Sequence, residues 1–540
     1  MNSRMSYLSA AALIAATVLT ACGQAQPQMA GEARTASVPP PTSSPAPLGV
    51  AGAITGPAPV LLQSPSAIGQ HPTYEVGVVK SVAEEPFSTF SLEVDTASYS
   101  VVRRYLRNGT LPPPEAVRVE EMLNYFDYDY PGPETREEGF RPTVSLYPAP
   151  WKPDWALLRV GVKAFVPSPE DRKPLNLVLL VDRSGSMQGS DRLKLVQKVV
   201  GDFLSTLRDD DRVGLMTYAN GVSVHAEPTT DHKSVAAALR GLDAGGGTAG
   251  GAALEKAYAL AQSVYDPAAE NRILLITDGD FNVGIRNSKE LERYVDRKRQ
   301  TGVGLSVLGV GQGNFNDSLV QAIVQAGNGV AAYMDSPVEG ARLFADGAAG
   351  LLHTVAADVK VQVEFNPAQI AEYRLIGYET RALETRDFLD SGKDAGEVNA
   401  GRSVTALYEV LPVAAASRTL PVPRYDGNRP APASKPETAL NAEWAEVKIA
   451  FKPDGPDGAQ TVIHHPVSPD LLRDLSAIGP DDALAAAIAG FAGKLRRDPA
   501  FDAYDYDAIK DLIAIARARD EDGWRSELLH LVSAAESLDG

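Results

Sequence analysis

Four short apolar runs, LNLVLLV (Leu175–Val181), VGLMTY (Val213–Tyr218), RILLIT (Arg272–Thr277) and VGLSVLGV (Val303–Val310), constrain the middle of this chain more than any other feature. Each has the length of a strand but lacks the polar alternation of a half-wetted one, so each reads as a strand buried on both faces. Between them lie segments with helical spacing: DRLKLVQKVVGDFLSTL, whose Leu193, Val196, Val200, Phe203 and Leu207 share a face, then AALEKAYALAQSVY, KELERYVDRKRQ and SLVQAIVQAG. Strands of this kind joined by helices make a mostly parallel sheet. The expected fold class is α/β, with a doubly wound sheet over residues 173–350.

The first of these strands ends in LNLVLLVDRSGSMQGS, with Asp182, Ser184 and Ser186 directly behind it. Ligands of an open parallel sheet sit beyond the carboxyl ends of its strands, where strand order reverses. In an extended loop the period is two, so Asp182, Ser184 and Ser186 face one point. Two later loops supply further oxygens: Thr248 inside the glycine run GLDAGGGTAGGA, and Asp278 at the end of RILLITDGD. Two carboxylates and three hydroxyls are hard ligands of low total charge, suited to Mg²⁺ or Mn²⁺ and poor for Zn²⁺. Ligands filling an octahedron in part through water leave a position that a carboxylate from a second molecule fills best.

DRSGSM, GGGTAGG and ITDGD together resemble the three elements of the metal-ion-dependent adhesion site of von Willebrand factor type A domains. Asp182, Ser184, Ser186, Thr248 and Asp278 match that pattern residue for residue. The resemblance implies a non-catalytic domain that captures a protein partner through the ion. FSTFSLEVDTASYS, PPPEAVRVEEMLNYFDYDYPGP and DAGEVNAGRSVTALYEV are similar to the flanking segments of a family of bacterial type A domain lipoproteins, which extends the resemblance over most of the chain.

Around the central region the pattern changes. VSLYP and LLRVGVKAF precede it, while VKVQVEFNP, EYRLIGYE, SVTALYEVLP and EWAEVKIAFKP follow, all with strand alternation. The economical expectation is one β-sandwich built from 141–172 and 351–466, with the α/β domain inserted in it. A flanking α/β segment occupies 76–140, and its Asp127, Asp129 and neighbouring tyrosines read as a solvated, aromatically anchored turn in preference to a binding patch. Three helices are expected in 467–540.

The N-terminus sets the compartment. Arg4 followed by the short apolar stretch Leu8–Ala21 has the form of a secretory signal over 1–21, too brief for a spanning helix. It ends in LTAC, which resembles a bacterial lipobox. Cys22 is the single cysteine of the chain, so it has no disulfide partner and is the expected lipidation site. Gly23, in place of Asp, points to the outer membrane by the enterobacterial sorting pattern. Residues 22–75 form a tether. Thr35–Tyr74 lacks any Asp, Glu, Lys or Arg and is rich in Pro, Ala, Ser and Gly, a composition that cannot offset its ordering entropy.

With 51 basic and 69 acidic residues, net charge −18, the chain lacks the basic excess of a nucleic-acid binder. The dehalogenase-like alternative wants a carboxylate where Ser184 stands, and the glycine run lacks the GK[ST] of a P-loop. The expectation is therefore an anchored binding protein rather than an enzyme. A scaffold whose metal only staples loops, or a hydrolase without a recognised motif, remain as alternatives.

Overall fold

The computed structural model describes residues 77–540, except 93–94, 169, 248–250, 280–287, 312–316, 345–348, 380, 391–395, 417, 422–441, 454 and 456–457. The expected signal and tether therefore lie outside the described residues, which belong to the unit Ser64–Gly540.

The central sheet has six strands in the order Ala331–Met334, Gly304–Val310, Glu270–Thr277, Leu175–Asp182, Arg212–Tyr218, Val222–Thr229, and only the last pairing is antiparallel. Every residue of Leu175–Asp182 is buried. Leu177, Leu179 and Val181 face the helices Leu193–Leu204 and His232–Arg240. Val178 and Leu180 face Gly251–Ser263, Ser288–Arg299 and Asp317–Ala326. That two-sided burial is why the strand reads as continuously apolar, and each such side chain contributes about 1.5–3 kcal/mol. From Leu175–Asp182 the chain goes first to Arg212–Tyr218 on one side and later to Glu270–Thr277 on the other. The switch point thus falls between the strands that end at Asp182 and just before Asp278.

Two five- and six-stranded sheets frame this domain. One contains Phe140–Pro148, Ala156–Ala164, Ser403–Pro412 and Ile370–Ile376; the other contains Phe87–Ser91, Thr354–Phe365, Ala445–Lys452 and Thr461–Val467. Their facing sides share one core, with Phe140, Leu158, Val160 and Tyr408 from the first and Phe90, Val361, Val363, Ile449 and Phe451 from the second. The chain leaves the sandwich after Ala156–Ala164 and re-enters it at Thr354–Phe365, so the α/β domain is an insertion. Phe87–Ser91, from the segment read as a separate flank, pairs with Thr354–Phe365.

The helices Pro480–Arg496, Tyr506–Ala516 and Trp524–Asp539 cover the outer face of the first sheet, on Tyr147, Leu157, Leu407 and Leu411. Pro480 opens the first of them, and Ala485, Ala486, Ala487 and Ala489 are fully buried because small side chains let the helix approach closely. Tyr128 and Tyr130 stack at 5.4 Å beneath it, while the Asp129 amide donates to Asp481. The helix Ala97–Arg107 ties the central domain to the C-terminal helices through Arg103. This guanidinium is 2.9 Å from Asp335, 3.2 Å from Glu339 and 3.2 Å from Glu527, among the rings of Tyr99, Tyr125 and Trp524. The same segment closes one edge of the central sheet, where Asp95 accepts the Ala331 amide at 3.1 Å.

Candidate metal centre at the sheet edge

Asp182 ends its strand with no exposure. The Ser184 amide donates to Asp182 Oδ1 at 2.7 Å, and the Thr277 hydroxyl donates to Oδ2 at 3.2 Å. Ser184 Oγ and Ser186 Oγ lie 2.9 Å apart. The route to that convergence differs from the extended loop expected from period two. Ser184 takes φ −57°, ψ 170°, and Gly185–Met187 then forms a single 3₁₀ turn that buries Met187 against the sheet. Burial pushes the Asp182 carboxyl above its ordinary value, and the negative charge of Asp278 adds to this, while hydrogen bonds from Ser184 oppose it.

Asp278 directly follows Glu270–Thr277 and is 5% exposed. Its Oδ2 lies 3.6 Å from Arg192 Nη1, whereas Oδ1 is buried with no hydrogen-bond partner among the described residues. A buried carboxylate oxygen without a donor is costly unless something else meets it. The third loop is stitched to the first. Gly185 donates to the Gly246 carbonyl at 2.8 Å, and Gly245 donates to the Arg183 carbonyl at 2.7 Å. Gly247 donates to Asn220 Oδ1 at 2.6 Å. Gly246 has φ +98°, and a Cβ there would stand 2.9 Å from Asn220 Nδ2, so the run needs glycine at that point. Thr248 lies outside the described residues, as does Cys22.

Among the described residues no group of three or more His, Cys, Asp or Glu is arranged to hold a metal ion. A metal at this edge would therefore rest on two carboxylates supplemented by hydroxyls. Arg192 is the residue that sequence reasoning missed. An arginine just ahead of an amphipathic helix looks like an ordinary solvated one, and only the fold reveals that its Nη1 donates to the Ser186 carbonyl beside Asp278.

Comparison with known proteins now adds lineage to geometry. A model described as von Willebrand factor type A domain matches residues 177–280, and one described as von Willebrand factor matches 68–159. A third, described as the C-terminal part of the uncharacterized protein YfbK, matches 350–538. The uncharacterized protein YfbK of Escherichia coli (strain K12) is 39% identical over 471 residues, covering 85% of this chain and 80% of that protein. The chain belongs to the YfbK family. Beyond the YfbK relative, the Synechocystis protein sll0103 is 28% identical over 193 residues, 35% of this chain and 44% of that one. Among solved structures, a von Willebrand factor type A protein from Catenulispora acidiphila is 15% identical and covers 76% of this chain and 98% of its own, with a TM-score of 0.40. In this YfbK-family chain the type A match spans Asp182, Ser184, Ser186, Thr248 and Asp278.

Proposed function

We propose that this chain is an envelope protein, anchored to the membrane by lipid on Cys22, that binds a protein partner through a divalent-metal-dependent adhesion site. Asp182, Ser184, Ser186, Thr248 and Asp278 are the ligands, directly or through water, and Mg²⁺ or Mn²⁺ is the ion. The partner's Asp or Glu takes the remaining position. The role is capture rather than catalysis, without nucleic acid.

One observation carries this reading: two buried carboxylates stand at the ends of adjacent strands at the switch point, and Asp278 keeps an oxygen without a donor among the described residues. The donor chemistry fits a hard cation, which would replace the missing hydrogen bond and relieve the repulsion between the two acids. The ion would supply Lewis acidity toward an incoming carboxylate, and the protein's part is to hold the loops in register. The Ser184 and Ser186 hydroxyls lie 2.9 Å apart beside the Asp182 carboxylate, a cluster of oxygens that supports ligation.

Affinity capture from envelope extract tests the proposal. A partner identified by mass spectrometry should be retained by the wild-type chain in Mg²⁺, released by EDTA, recovered by Mg²⁺ or Mn²⁺, and recovered less well by Ca²⁺, whose ligand distances of about 2.3–2.6 Å suit a larger cage. A partner held equally with and without chelator, and equally by a folded Asp182→Ala chain, overturns metal-dependent adhesion.

A further inference from the structure

Arg192 stands just ahead of the helix Leu193–Leu204, at the end of the loop that runs on from Asp182 through Ser184 and Ser186. Its Nη1 donates to the Ser186 carbonyl and lies 3.6 Å from Asp278 Oδ2, so one guanidinium touches two of the loops that carry the site. Its stem is fixed by Gly311, which follows the strand Gly304–Val310 with φ +80°. A Cβ on Gly311 would stand 2.5 Å from Arg192 Cγ, so glycine leaves the gap that the arginine occupies. Among the described residues, Arg192 is the cation within ion-pair distance of either Asp182 or Asp278.

The charges then decide what such a site can hold. Among the described residues of the site, Asp182 and Asp278 bring two negative charges, and the serine hydroxyls bring none. A divalent ion alone would cancel the pair, but Arg192 adds one positive charge against the same carboxylate. With Asp182 unexposed and Asp278 only 5% exposed, solvent screens this excess poorly. One anionic group at the ion restores neutrality. We propose that Arg192 keeps the ion-loaded centre one negative charge short, so that the ion and an acidic ligand bind as a coupled pair and neither is held firmly alone. The inference rests on the metal reading above, takes over its carboxylate ligand, and adds the part that Arg192 plays in coupling that ligand to the ion. Linkage makes the coupling reciprocal, so a carboxylate raises the affinity for the ion by the factor with which the ion raises affinity for the carboxylate.

Calorimetric titration of Mg²⁺ into the full chain, in acetate and in chloride of equal ionic strength, reads this directly. In the wild type, acetate should tighten Mg²⁺ binding about tenfold. Arg192→Gln should bind Mg²⁺ about tenfold tighter than wild type in chloride, with the acetate effect largely gone, while Arg192→Lys should behave as wild type. Arg192→Met, which still fills the gap at Gly311, serves if the Gln variant misfolds. Absence of an acetate effect in the wild type overturns the inference, as does a folded Arg192→Gln or Arg192→Met chain that binds Mg²⁺ no tighter than wild type. Asp182→Ala separates the two levels. Mg²⁺ binding that is absent from wild type, or unchanged by Asp182→Ala, removes the metal site itself; binding that Asp182→Ala abolishes but acetate does not affect removes only the role of Arg192.

Discussion

Arg103 is almost inaccessible and carries a full charge, with side-chain exposure of 2% against carboxylates of 10%, 2% and 18%. Burial alone would weaken its proton affinity, but Tyr125, Asp335, Glu339 and Glu527 more than reverse this and hold the guanidinium charged. Its energetic meaning lies in what removal would leave behind: Asp335 after the last central strand, Glu339 on the helix Pro337–Leu343 and Glu527 on the C-terminal helix would face one another without the cation they share, although Arg342 stays 3.7 Å from Glu339 and Arg107 stays paired with Glu527. Arg103→Met should therefore lower unfolding stability by about 3–5 kcal/mol, measured by urea denaturation. Adding Glu339→Gln should restore part of that loss, because the two changes share one network. A near-neutral Arg103→Met would show that the hub is not what fixes the inserted domain to its frame. Nothing in SYSVVRRYLR distinguished Arg103 from Arg104 or a solvated arginine, since the carboxylates it pairs with lie more than 200 residues away.

At the scale of elements, the junction between Ala349–Leu352 and Thr354–Phe365 contains His353, 4% exposed. Burial pushes its imidazole down to about 4, and the nearby positive charges of Arg172 and Arg272 act in the same direction. The unfolded chain takes up this proton near pH 6.5 and the folded one only near 4, so stability is present above about 6.5 and lost as pH falls toward 4. The loss from this group amounts to about 3 kcal/mol, and His353→Gln should flatten the pH dependence of the melting temperature across that window. An unchanged slope would exclude His353 as its source. The elements most legible in sequence were the doubly buried strands and the amphipathic helices, whose patterns are imposed by packing on both sides. Val222–Thr229 escaped notice because it is a largely exposed edge carrying Glu227 and Pro228, with irregular pairing, a design that discourages edge-to-edge association and erases periodicity. Ala331–Met334 is too short to carry a pattern. The position of Asp182, Ser184, Ser186 and Asp278 at one edge of the sheet was legible, because they follow directly on the ends of doubly buried strands. Its 3₁₀ turn and Arg192 were not, because both depend on contacts between loops distant in sequence.

For the whole molecule, the insertion topology predicts how the chain can be cut. Residues 173–350 contain the entire central sheet and most of both its cores, so a fragment of that span should unfold cooperatively by itself. A fragment of 358–466 should aggregate, since Thr354–Phe365 loses Phe87–Ser91 and Ser403–Pro412 loses Ala156–Ala164, which exposes strand edges. A soluble, cooperatively unfolding 358–466 fragment would contradict a sandwich split by insertion. At the N-terminus, Cys22→Ser should abolish incorporation of a fatty-acid probe in cells; full labelling of that variant would remove the lipid anchor from the account. The most direct measurement addresses the sheet edge. In calorimetric titration the wild-type chain should bind one Mg²⁺, and Asp182→Ala should bind it more than about 100-fold less tightly while keeping the wild-type circular dichroism, because Asp182 contributes a charged oxygen rather than packing to its strand. Wild-type protein that takes up no Mg²⁺, or a folded Asp182→Ala chain that binds it equally well, would contradict the account.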